Sequence, residues 1–256
     1  MSRHLLLLLA FLSCSTLPLH AQGSAGSSGK LEPRFLVDMP TAGMVDKGSY
    51  AADIDFYGGG GVLLAFSVGI LDRLTAGLSY GGSKLIGGGT PEMNDAPGVS
   101  VKVRLLEEGL FLPALAIGFD TQGHDGYIRS LDRYVIKSPG FFAVVSKNYA
   151  VLGFLSLHGG VNYALERADG DRNVNAYVGA EKTVGPFVSV LLEYNAGLND
   201  NSGSAVGKGR GYVNAAARIS LGGGFTLGVN FKDLTKNGSD VEVADRSVHI
   251  EYSRPF

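Results

Sequence analysis

From Gly48 to its end the chain repeats one pattern. About ten residues of apolar/polar alternation are followed by a connection, and the connections take turns between tight and long. "LDR", "LEEG", "NYA", "VGP" and "GGG" are tight. "IGGGTPEMNDAP", "DTQGHDGYIRSLDR", "ERADGDRN", "NDNSGSAVGKGR" and "TKNGSDVEVAD" are long and polar, and only "GGGG" at 58–61 breaks the rule. Period-two segments of this length, with short turns at one end and long loops at the other, predict an up-and-down barrel that crosses a membrane. Lipid leaves no backbone group free to bond water, and a closed barrel satisfies them all without an edge.

The segments are explicit. Val62, Leu64, Phe66, Val68 and Ile70 share one face against Leu63, Ala65, Ser67 and Gly69. The pattern returns in 74–82, 99–105, 111–120, 151–163, 187–196, 212–221, 225–234 and 247–256, and more weakly in 50–57, 134–147 and 174–182. The reading is an all-β chain: a single transmembrane antiparallel up-and-down β-barrel of about 12 strands, with ten or fourteen as the bounds. Pro139 and Gly140 predict a bulge or bend. On the outward parity Phe111 and Phe119 stand eight residues apart, which at about 3.3 Å per residue and a tilt near 40° is roughly 20 Å along the membrane normal. Tyrosine and phenylalanine then supply the interfacial girdles, because the chain has no tryptophan.

The two ends agree. "MSRHLLLLLAFLSCSTLPLHAQ" has a short basic start, an apolar run from Leu5 to Leu12 and Ala21 before Gln22, which reads as a secretory signal peptide over 1–21. Phe11 spoils a lipoprotein box around Cys14, the only cysteine, so no disulfide framework follows. At the other end Val248, Ile250 and Tyr252 alternate up to the terminal Phe256, the form of an insertion signal read by the barrel-assembly machinery. Arg254 and Pro255 depart from it. A soluble secreted β-sandwich or lipocalin-like barrel also alternates, with its apolar face turned inward. The loop asymmetry, the leader and the final phenylalanine favour the membrane barrel in the bacterial outer membrane. The expected division is 1–21 signal peptide, 22–47 periplasmic lead-in or plug, and 48–256 barrel.

If the apolar parity faces lipid, Asp53, Asp55, Lys102, Arg104, Asp120, His158, Glu181, Glu193, Arg218, Lys232, His249 and Glu251 face the lumen. Mixed signs there fit either ion pairs across the interior or a path for a hydrophilic solute. Gly77, Ala114, Ala116, Gly118 and Gly228 on the same face leave space. Net charge is -2 with no basic block, which argues against a nucleic-acid partner. No catalytic set stands out. The glycine runs lack the Lys-Ser/Thr of a phosphate loop. His124, Asp125 and Ser130 share a long loop rather than a rigid site. The acidic loops match no EF-hand spacing, so no metal or cofactor is expected.

"RFLVDMPTAGMVDKGSY", "DRLTAGLSYGG", "GFDTQGHDGY", "KSPGFFAVVSKNY", "LHGGVNY", "LEYNAGLNDN", "GRGYVNAAAR" and "FKDL" together resemble the YjbH-like group of bacterial outer-membrane proteins. The resemblance implies a β-barrel and a link to exopolysaccharide export. It hands over no catalytic residue. Three roles follow as expectations: a passive pore or export-associated channel for hydrophilic solute or surface polysaccharide; a sealed barrel whose loops bind a partner; and, least supported, an enzyme acting on lipid.

Overall fold

The computed structural model describes residues 23–239 and 244–256. The signal-peptide reading over 1–21 lies outside the described residues.

Twelve long strands close into one antiparallel barrel. They are β1 (Ser49–Tyr57), β2 (Gly61–Leu71), β3 (Leu74–Ser83), β5 (Gly98–Leu106), β6 (Ala114–Asp120), β9 (Gly140–Ala150), β10 (Phe154–Tyr163), β11 (Asn175–Val184), β12 (Val188–Asn195), β13 (Tyr212–Gly222), β14 (Phe225–Lys232) and β15 (Asp245–Pro255). Each pairs with its neighbour in the series, and β1 pairs with β15, so no edge is left open. Three short strands belong to the long connections: β4 (Glu92–Met93) beside β3, and the hairpin of β7 (His124–Ile128) with β8 (Arg133–Ile136). Segment 134–147 is therefore not one strand. Pro139 has no N–H to continue a ladder, and Gly140, at φ 61°, opens the bulge at which it and Phe141 both oppose Tyr163.

The alternation places side chains as expected. Leu78, Val178 and Leu192 stand more than half exposed on the outer wall, while their neighbours Thr75, Thr183 and Glu193 are buried within it. Aromatic residues gather at both rims. Tyr50, Phe66, Phe225, Tyr252 and Phe256 form a chain of ring contacts at the tight-turn end, with centroids 4.4 to 6.1 Å apart. Phe119 and Phe141 stack at the long-loop end, 4.7 Å apart. Phe111 departs from the expectation. Pro113 keeps β6 from starting before Ala114, so Phe111 sits in the turn, almost fully exposed, rather than on the strand with Phe119.

The interior is not empty. Residues 31–47 form a hairpin that rises into the barrel from the tight-turn end and returns to Gly48. Phe35 bridges Pro40, and Leu36 N–H donates to Met39 O across the tip. Leu36, Met39 and Thr41 are almost wholly buried. Leu36, Val37, Met39 and Ala42 form a compact apolar core with Ala114, Ala116, Phe142, Val144, Tyr177 and Leu191 of the inner wall. Of the small inward residues, Ala114 and Ala116 pack in this core with the hairpin, whereas Gly77, Gly118 and Gly228 face side chains and backbone of the wall itself. At Gly179 of β11 any Cβ would collide with Leu36. Residues 23–30 lie at the tight-turn end, where Ser27 and Ser28 N–H donate to the carbonyls of Gly185 and Pro186.

Candidate functional site

The hairpin carries most of its polar backbone into a place with no bulk water, so each group needs a partner. The inner wall supplies them from opposite sides. Glu193 Oε2 accepts the N–H groups of Val37, Asp38 and Met39 at 3.0, 3.0 and 2.9 Å, a single carboxylate cradling the tip. Lys102 Nζ donates to Thr41 O at 3.1 Å and Gly43 O at 2.8 Å. Arg104 donates to Ala42 O at 2.7 Å and pairs with Glu32. Arg218 donates to the carbonyls of Phe35 and Leu36. Tyr177 Oη donates to Pro40 O at 2.9 Å, and Ser146 Oγ and Thr75 Oγ1 accept Ala42 N–H and Val45 N–H. Charged hydrogen bonds of this kind contribute about 1.5–3 kcal/mol each, roughly twice a neutral one.

Side chains of the hairpin add ion pairs. Arg34 Nη2 lies 2.6 Å from Asp53 and 3.8 Å from Glu251. Asp38 meets Lys232 at 2.8 Å and accepts from Asn214, and Lys232 also holds Asp125 at 2.8 Å. His249 Nδ1 is 2.8 Å from Asp55. The remaining residues on the inward face act on the wall itself. Asp120 accepts Gln122 N–H at 2.8 Å. His158 Nδ1 meets Ser146 Oγ at 2.8 Å, while its Nε2, like Glu181 Oε2, is buried without a partner. Val248, Ile250 and Tyr252 lie on the lipid-facing parity of β15, and Phe256 is largely exposed beyond its end.

An apolar band around the outside, aromatic rims, a polar interior and a fully paired ladder leave one environment for this fold. The chain is a bacterial outer-membrane β-barrel. No protein-family model matches it, and no curated protein matches it. Among solved structures it is similar to the KdgM porin, with 11% identity over 80% of this chain and 98% of that one and a TM-score of 0.49. It is also similar to the Acinetobacter baumannii outer membrane protein Omp33, with 8% identity, 83% and 99% coverage and a TM-score of 0.45. A third is the translocator domain of the autotransporter NalP from Neisseria meningitidis, with 12% identity, 81% and 86% coverage and a TM-score of 0.37.

The long-loop end of the barrel is drawn together by a second polar cluster, which the alternation alone does not reveal. Arg133, fully buried, donates to Asp169 at 2.7 Å and Asp200 at 2.5 Å. Lys137 also reaches Asp169 at 2.7 Å, and Tyr212 Oη donates to Asp200 at 2.5 Å. Three connections, 121–139, 164–174 and 196–211, are thereby tied across the mouth. His124 and Asp125, in a loop that could have held a hydrolytic set with Ser130, are spent on Asp38 and Lys232 instead. Beneath this cap lies a cavity of about 600 Å³ with Asp38, Asp125, Asn214 and Lys232 at its floor.

Asp171 joins two of these loops by accepting N–H groups from Asn173, Asn201 and Ser202. Burial acts to raise its carboxyl, but those hydrogen bonds outweigh it and hold the group below the ordinary carboxylate range. A depressed folded-state pKa contributes stability above the unfolded value of about 3.9, lost as pH falls through the folded value. Acidification below about pH 4 is therefore expected to lower the protection factors of the Asn201 and Ser202 amides, taken relative to the intrinsic exchange rate at each pH. Unchanged protection at low pH would contradict the assignment.

Proposed function

We propose that the barrel is a gated conduit for a hydrophilic solute, closed at rest by the hairpin 31–47. The observation that carries this reading is where the wall binds the hairpin: Glu193, Lys102, Arg104 and Arg218 engage its main chain. Groups that hold a backbone by its carbonyls and N–H groups are the same groups that would line an aqueous path once the hairpin withdrew. The YjbH-like resemblance supports a surface polysaccharide or its fragments as the solute.

Planar-bilayer recording tests the reading. The folded protein with its hairpin is expected to be silent, and a chain lacking 31–47, checked for heat-modifiable migration, to conduct steadily. Of the twelve inward residues six are carboxylates and four are lysine or arginine, so the opened lumen is expected to prefer cations. Steady conductance with the hairpin in place, or silence from a folded barrel without it, would overturn the gate.

The buried Arg133 cluster favours a second reading, in which the tied loops form a fixed surface for a partner and the barrel is a sealed platform. Silence from both forms would favour it. Neither reading assigns a catalytic step. Outer-membrane lipid and the barrel-assembly machinery complete the proposed partners. Deleting Phe256 is expected to lower the amount of folded barrel in the membrane several-fold while leaving refolding from denaturant intact. Unchanged assembly in cells would remove Val248, Ile250, Tyr252 and Phe256 as an insertion signal.

A further inference from the structure

Two neighbouring tight turns carry the most exposed large apolar side chains among the described residues. The turn 107–113 between β5 and β6 holds Leu110 and Phe111 at 85% and 88% exposure, and the turn 151–153 between β9 and β10 holds Leu152 at 96%. On the outer wall Ile117 and Leu157 reach only 42% and 44%, so the turn side chains stand clear of the barrel. The two turns are adjacent because β6 pairs with β9. Two other tight turns, Asp72-Arg73 and Gly223-Gly224, present no apolar side chain.

The way these turns fold gives their direction. Lys147 of β9 shares the outward parity of Val145 and Tyr149, and Lys182 of β11 shares that of Val178 and Val184. A bare ammonium on that face is unfavourable beside lipid. Each lysine is instead capped by one of the two turns. Lys147 Nζ donates to Gly109 O and, at 3.2 Å, to Leu110 O, and it pairs with Glu108 at 3.3 Å. Lys182 Nζ donates to Leu152 O at 2.9 Å. The turns therefore fold outward over the wall, away from the mouth of the lumen. Leu152 also holds φ 42°, a left-handed backbone that favours glycine. In water an exposed leucine in that conformation is disfavoured twice, by its apolar surface and by its backbone.

We propose that the turns 107–113 and 151–153 form a lipid-binding foot, which inserts Leu110, Phe111 and Leu152 among the acyl chains of the leaflet at the tight-turn end. In barrels of this kind that is the periplasmic leaflet. The occupant is lipid because the patch continues the lipid-facing wall without a break. Leu105 and Leu106 of β5, Tyr149 of β9 and Phe154 of β10 lead into it, each close to half exposed. The caps serve the same end: turn carbonyls and Glu108 take up the lysine charges, and the lysine stems lie along apolar surface. Moving the three side chains out of water is favourable in proportion to the apolar area covered. With Asp72-Arg73 and Gly223-Gly224 at other points of the rim, the anchor is one-sided, and a one-sided anchor biases the tilt of the barrel in the bilayer. The foot does not depend on whether the lumen conducts.

The test uses the absence of tryptophan from the sequence, which makes F111W and L152W single reporters. Each folded protein, checked by heat-modifiable migration, is placed in phosphatidylcholine vesicles with or without bromine on the acyl chains. Bromolipid is expected to quench both reporters at least twofold, and acrylamide, which reaches both sides of the vesicle, to quench them far less than in the unfolded chain. D72W, on a polar turn, is expected to show the reverse. A reporter that acrylamide reaches and bromolipid does not would place its turn in water, as a surface for a periplasmic protein, and overturn the proposal. Bromolipid quenching of D72W equal to that of F111W would also overturn it, because the indole rather than the turn would then be seeking lipid.

Discussion

Glu193→Leu is expected to release the tip of the hairpin from the wall. The carboxylate accepts three consecutive N–H groups and the side-chain amide of Asn214 at 2.8 Å. Leucine offers none of these acceptors, and each buried N–H left unpaired costs about 1–3 kcal/mol. Amide exchange at Val37, Asp38 and Met39 should accelerate by well over tenfold, since about 1.4 kcal/mol corresponds to a factor of ten. Glu193→Gln keeps one acceptor oxygen and should fall between. Strands β12 and β13 pair through their backbones and should stay protected in both variants. Acceleration spread evenly over the barrel would mean that Glu193 holds the wall rather than the hairpin.

Arg133→Ala is expected to open the other end. Its guanidinium has no solvent exposure and joins Asp169 to Asp200 while also donating to the carbonyls of Tyr134 and Val135. Removing one partner of a buried ion pair leaves uncompensated carboxylates and typically costs about 3–5 kcal/mol. Lys137 still reaches Asp169, but Asp200 keeps only Tyr212 Oη and a backbone N–H from Val206. Limited proteolysis should then cut within 164–174 and 196–211 at rates at least tenfold above wild type. The barrel below should remain heat-modifiable. Arg133→Lys should not restore protection, because one ammonium cannot replace a planar fork that serves four acceptors.

The barrel was legible because its physics is periodic. Lipid outside and polar groups inside force every second residue to the same face, so Val62 to Ile70 or Phe225 to Phe231 declare their orientation without any knowledge of the rest. The twelve inward charged residues could be named for the same reason. Their partners could not. Glu193 and Val37 are 156 positions apart, and nothing periodic links them. The hairpin's own ladder is short, with Leu36 N–H on Met39 O and Thr41 N–H on Arg34 O, and its other backbone groups are met largely by side chains of the wall. The run Phe35, Leu36, Val37 and Met39 within an otherwise irregular lead-in is the one local sign that this segment is buried. Arg133, Asp169 and Asp200 come from three loops whose polarity reads as ordinary solvation until the fold brings them together.

The central claim is that residues 31–47 lie inside the barrel against its inner wall. Cysteine pairing at Ala42 and Ser146 tests it most directly, because Ala42 N–H sits 2.9 Å from Ser146 Oγ and Cys14 is the only native cysteine. In intact cells the pair is expected to join on mild oxidation or with a short bis-thiol reagent, giving a mobility shift on a denaturing gel that reductant reverses. Two free cysteines that both react with a soluble maleimide and never join would place the segment outside the lumen and contradict the account.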